Sequence, residues 1–75
     1  MKIEYDKKAD AIYIQFKKEY VDNNVDVSEG VSVDLDNNKN IIGIEILDAS
    51  KRLPLENLSK VTIENLLETP AKKAS

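Results

Sequence analysis

The stretch NIIGIEILDAS, residues 40–50, is apolar at nearly every position from Ile41 to Leu47. A strand with one wet face alternates apolar and polar side chains, because successive Cβ atoms point to opposite faces. Here Ile42, Ile44 and Ile46 share one face, while Ile41 and Leu47 share the other with Gly43 and Glu45. A strand apolar on both sides belongs in the middle of a sheet covered twice, once by the protein's own helical segment and once by something else. Two covers are open for the second face. One is a second copy of the chain, meeting it through Ala11, Tyr13, Ile41, Gly43 and Leu47, with Gly43 allowing close backbone approach. The other is residues 55–67 folded across the sheet of the same chain.

Size favours the second copy slightly. A chain of 75 residues makes one domain at most and buries only about 60–65% of the surface its unfolded form exposes. Folds this small usually add disulfides, a metal or self-association. Cysteine and histidine are both absent, which removes the first remedy, weakens the second and leaves homodimer formation. The apolar runs are too short to span a bilayer, and MKIEYDKKAD lacks the apolar core of a signal peptide, so a soluble cytoplasmic protein with no membrane partner is expected.

Outward from residues 40–50, the preceding VSVDL alternates cleanly, with Val31, Val33 and Leu35 facing in. Pairing Leu35 with Ile42, Val33 with Ile44 and Val31 with Ile46 matches apolar faces across a hairpin whose turn is DNNKN. KIEY and AIYIQF read as an N-terminal hairpin, and Val25 and Val27 as a short edge strand ended by Ser28, Glu29 and Gly30. Asp48 stands where it would cap a short helix through ASKRL that Pro54 ends, and LPLENLS suits a further helical turn. Helical and strand periods compete in residues 60–67, where the β-branched run Val61, Thr62, Ile63 favours a strand. The predicted fold is α+β: a mainly antiparallel sheet, a β-meander of four to five strands, with one short helix after the fourth main strand. Residues 1–68 form the sheet domain and 69–75 a flexible C-terminal tail.

Charge is unevenly placed. Residues 19–38 carry six acids and no Lys or Arg, whereas the segments on either side are weakly basic. Most such blocks are solvated faces and loops, yet this one, through Asp22, Asp26 and Glu29, is also a candidate surface for a basic partner. Nucleic acid is disfavoured as a partner by the net charge of −3 and by the lack of any recognition motif.

DLDNNKNIIGIE places Asp34, Asp36, Asn38, Asn40 and Glu45 where a calcium loop wants ligands. The sixth position, however, is Lys39 instead of glycine, and both flanks alternate as strands. A polar turn with local Asp and Asn hydrogen bonds is the preferred reading, with no metal and no cofactor. Glu45, the one charge in an apolar strand, suits pairing with Lys51 or Arg52. No nucleophile stands beside a base and no glycine-rich phosphate loop exists, so no enzyme is expected.

YDKKADAIYI and GIEILDASKRL resemble a bacterial and archaeal family of small proteins known as domain of unknown function 2283. Tyr5, Asp6, Ala9, Asp10, Ala11, Tyr13 and Ile14 match its first signature; Asp34, Asp36, Asn40, Gly43 through Leu47, Ala49 and Ser50 match its second. Lys39 departs from the glycine common in the family's turn, so Asn38 or Lys39 must adopt the left-handed conformation. The resemblance implies a small sheet-containing protein, and because some members of the family look to stand beside small proteins similar to RNA-cleaving toxins, it suggests an antitoxin-like role. The expectation is therefore a non-enzymatic, homodimeric protein-interaction module. The alternatives are a small metal-dependent or carboxylate-based enzyme using Asp34, Asp36 and Glu45, and a DNA-contacting accessory protein.

Overall fold

The computed structural model describes residues 1–54, 56 and 60–64. Five strands, β1 (Lys2–Asp6), β2 (Ala11–Gln15), β3 (Asn23–Ser28), β4 (Val31–Leu35) and β5 (Ile41–Leu47), are followed by one helical turn, α1 (Ala49–Arg52). All neighbours are antiparallel, and the spatial order is β1-β2-β5-β4-β3.

This order corrects the expected meander. AIYIQF and IIGIEIL are the two most apolar segments and each stabilises the sheet best with a neighbour on both sides, whereas NNVDVS carries polar residues suited to an edge. The last strand therefore inserts between β2 and β4, so that β2 through β5 have Greek-key connectivity. Residues 16–22 carry the chain from β2 past the β4–β5 turn to the far edge. On the way Phe16 and Lys17 donate their amides to the Ile42 carbonyl (2.9 and 3.3 Å), and Asp22 donates to Leu35 (2.9 Å). Because residues 23–28 form a full strand, the helix follows the fifth strand and not the fourth.

The register builds two apolar rows across one face. Ile3, Ile14, Ile44, Val33 and Val25 form the first; Tyr5, Ile12, Ile46 and Val31 form the second. Val33–Ile44 and Val31–Ile46 pair as the alternation requires. Leu35 pairs with Ile41 instead of Ile42, because the register shifts by one residue after Asp34. Ile42 and Ile12 are the most buried large side chains, 1% and 2% exposed, with Ala49 of α1 fully buried.

The second face is not the apolar surface expected. Ile41 and Leu47 are 56% and 42% exposed, and between them stand Gly43 and Glu45 among polar neighbours. Residues 60–64 belong to no strand or helix and leave Val61 and Ile63 exposed, so the strand expected there is absent over those five residues. The rest of the expected cover, and the tail 69–75, lie outside the described residues, as does most of the helical turn expected in LPLENLS.

Helix α1 ties the two hairpins together at one end of the sheet. Asp48 occupies the N-cap position but is left-handed (φ 53°) and makes no side-chain cap. Asp10 caps instead, from the β1–β2 turn. Its carbonyl accepts the Ala49 amide (2.9 Å), while its carboxylate accepts the Ser50 amide (3.0 Å), the Ser50 hydroxyl (2.7 Å) and the Tyr5 hydroxyl (2.9 Å). The Ser50 hydrogen bonds, helped by that of Tyr5, hold the Asp10 carboxyl below its usual range. From the other end of α1, Arg52 donates to the carbonyls of Leu47 and Glu29, lying against Gly30, whose positive φ (78°) turns β3 into β4.

Ile12→Ala should cost about 2–5 kcal/mol in urea unfolding, since its side chain is buried in register between Tyr5 and Ile46, whereas Val25→Ala on the exposed edge should cost less than about 1 kcal/mol.

Candidate functional site: the polar face of the sheet

The face opposite the apolar rows is built by the alternate residues of the same strands. One row runs Glu4, Tyr13, Glu45, Ser32, Asp26; the next runs Lys2, Gln15, Gly43, Asp34, Asn24. Tyr13 leans from the first row across Gly43 to donate its hydroxyl to Asp34 Oδ2 (2.7 Å). Asn24 Nδ2 donates to Asp34 Oδ1 (2.7 Å) and to the Ser32 hydroxyl (3.2 Å). Three strands are thus joined through one carboxylate.

Gly43 is required by this contact. A Cβ at residue 43 would collide with the Tyr13 phenol, its nearest neighbours being Oη, Cζ and Cε1 of that ring. The close approach foreseen for a subunit contact is made within the chain, by Tyr13. Partial burial, then the hydrogen bond and charge of Asp34 and the charge of Glu45, push the Tyr13 hydroxyl up to about 12.

Among the described strand residues, Glu4, Asp6, Asp26, Asp34 and Glu45 therefore share a face with one cation, Lys2, whose Nζ lies 3.6 Å from Glu4 Oε2. Glu4 and Glu45 lie two strands apart on either side of Tyr13, about 10 Å by strand spacing. Between them an open depression of about 510 Å³ is lined by Glu4, Tyr5, Asp6, Ala9, Ala11, Tyr13 and Glu45. Small alanines form part of its lining and carboxylates stand around it, a shape and charge that suit a lysine or arginine side chain presented by another molecule.

The sequence-predicted residues divide. Of the candidate partner-binding acids, only Asp26 stands on this face. Asp22 lies beside a second depression at the β4–β5 turn, and Glu29 lies in the β3–β4 turn, where its carbonyl holds Arg52. Glu45 is exposed in the central strand and is not paired with Arg52, whose guanidinium is engaged with Leu47 and Glu29. Of the expected subunit-contact residues, Ala11 and Tyr13 are half-buried, Gly43 is buried, and Ile41 and Leu47 are exposed.

The calcium-loop candidates do not converge. Asp34 is engaged on the sheet face, Glu45 stands opposite Ser32, and Asp36 serves its own turn. Asp36 Oδ1 accepts the amides of Asn38 and Asn40 (both 2.9 Å) and its Oδ2 accepts Asn40 Nδ2 (3.2 Å); these bonds, the Asn40 amide foremost, lower its pKa. Lys39 takes the left-handed conformation (φ 66°). Among the described residues no three acidic side chains come together as a metal-binding group, and no helix is long and apolar enough to cross a membrane.

A five-stranded antiparallel sheet with one polar, acidic face and one apolar face defines the class of protein: a small β-sheet module closed at one end by the helical turn α1. Residues 2–50, from the first strand to the start of α1, match the model of the family described as protein of unknown function DUF2283, and the chain belongs to that family. No curated protein and no solved structure matches the chain.

The Tyr13–Asp34–Asn24 cluster and the Asp10–Ser50 cap were not foreseen. Their only signal was that Tyr13, Asp34 and Gly43, like Asp10 and Ser50, fall within the two family signatures.

Gly43→Ala should destabilise the fold by about 1–3 kcal/mol, and much less in a Tyr13→Ala background, where the collision is gone. A chemical-denaturation double-mutant cycle measures the difference. In an absorbance titration Tyr13 should ionise well above the ordinary phenol range, at about 12. Because its folded pKa is raised, the stabilisation is complete below pH 10 and is lost as pH climbs from there through about 12. Tyr13→Phe should abolish that loss.

Proposed function

We propose that the chain is a non-enzymatic protein-interaction module whose acidic sheet face receives a basic protein, in the manner of an antitoxin that neutralises a basic toxin. The observation that supports this reading is the charge of one face: among the described strand residues five carboxylates stand against one lysine, and three of them, Glu4, Asp6 and Glu45, line a depression. Sheet faces of this kind raise association rates with basic partners and reject nucleic acid, whose phosphates they repel. Tyr13 adds a rigid aromatic surface at the centre, with its hydroxyl already satisfied by Asp34. The reading places the protein in the cytoplasm, in keeping with its lack of cysteine.

The enzymatic alternative draws no support from Asp34, Asp36 and Glu45, since each is engaged or directed separately. Self-association, expected from the chain's small size, fits an edge of the sheet better than this face, whose centre is charged.

A lysine-rich helical peptide serves as the probe. Its affinity, measured by calorimetry, should fall at least tenfold between about 0.1 M and about 1 M salt, as the screening length shrinks from ~10 to ~3 Å. Glu4→Gln, Asp26→Asn and Glu45→Gln together should weaken binding comparably at low salt. Glu19→Gln, Asp22→Asn and Glu29→Gln, which remove the same charge elsewhere, should not. Equal losses in the two triple variants would refute the face as the docking surface.

A further inference from the structure

The two open edges of the sheet differ. Strand β3 is blunted by a register irregularity between Asp26 and Ser28, a device that keeps an edge from pairing with another chain. Strand β1 has none. It pairs with β2 residue by residue from Lys2 to Asp6 without a shift, and among the described residues no strand pairs with its other edge, where Ile3 and Tyr5 are 44% and 36% exposed.

We propose that β1 pairs antiparallel with β1 of a second copy, about a two-fold axis midway between the two Glu4 residues, to give a continuous ten-stranded sheet. The sequence KIEYD is nearly self-complementary in that register. Lys2 stands opposite the partner's Asp6, and Ile3 opposite the partner's Tyr5, each contact occurring twice as a two-fold interface requires. Asp6 is able to accept the pairing, because the turn amides of Lys8 and Ala9 bind its Oδ1 alone (3.0 and 3.3 Å).

The Ile3–Tyr5 contacts fall on the apolar face, so both apolar rows continue across the seam and two side chains otherwise half in water gain neighbours. Glu4 opposite its own copy is the one unfavourable contact, offset by the Lys2 that already lies beside it. The pairing also brings the partner's Lys2 to Asp6, at the mouth of the depression lined by Glu4, Asp6 and Glu45, so the second copy completes the wall of that site. A shorter register, with Lys2 opposite the partner's Glu4, joins three residues instead of five and leaves Tyr5 and Asp6 unpaired.

Sedimentation equilibrium of charge-swapped variants tests the proposal. The unmodified chain should dimerise reversibly. Lys2→Glu and Asp6→Lys should each weaken the dimer about tenfold, since each turns two attractive pairs into repulsive ones. The double variant should regain the original affinity, and a mixture of the two single variants should form heterodimers. Far-ultraviolet circular dichroism confirms that each variant is folded. A monomeric unmodified chain, a dimer indifferent to either single swap, or a double variant that fails to recover overturns the proposal. Indifference to Asp6→Lys alone points to the shorter register and equally overturns this one. None of these outcomes depends on whether the acidic face binds a basic partner.

Discussion

The position of β5 between β2 and β4 is the constraint on which the rest of the structure depends. Only in the centre of the sheet do Ile44 and Ile46 have apolar neighbours on both sides, Ile14 and Ile12 on one, Val33 and Val31 on the other. The two rows so formed join the N-terminal hairpin to the three C-terminal strands, which share no other strand pairing. Helix α1 follows β5 directly and fixes the same junction from its end, through Asp10 on one hairpin and the Glu29 carbonyl on the other. Seventy-five residues thus gain a common core without a disulfide, at the cost of sending residues 16–22 past the β4–β5 turn to the far edge.

Central placement also determines what the second face can be. A strand flanked on both sides brings residues from β2 and β4 across it, and at Gly43 that neighbour is the Tyr13 phenol on its way to Asp34. The hydrogen-bonded cluster occupies the middle of the face, and Glu4, Glu45 and Asp26 occupy its surroundings. Such a surface gains little from meeting its own copy, because like charges would oppose one another, and it gains most from a partner of opposite charge. The apolar and acidic faces are therefore consequences of one register read on its two sides.

Much of this was legible in the residues. The alternation of VSVDL and AIYIQF located β4 and β2 and their inward faces, and the Val33–Ile44 and Val31–Ile46 pairs followed from matching apolar residues across a short turn. The departure of Lys39 from glycine correctly required a left-handed residue there. What could not be read was the neighbour of β2. Periodicity specifies which side of a strand is apolar but not which strand lies alongside, so the meander was the simplest arrangement and the wrong one. The same blindness hid the site: Tyr13 and Asp34 are 21 residues apart, and their contact exists only because β5 brings a glycine between them. Ile41 and Leu47 stand exposed at the two ends of β5, with the polar residues of that face between them. Asp48 looked like a cap because it precedes a helix, yet the acid that caps comes from 40 residues upstream.

Native-state hydrogen exchange, read amide by amide, tests the keystone role of β5 most directly. If the strand joins the two halves, its hydrogen-bonded amides exchange only through global unfolding, with the sheet's highest protection, while those of β1 and β3 open locally at lower free energy. Protection that is highest in either hairpin alone, with β5 exchanging as freely as the edge strands, would contradict the account.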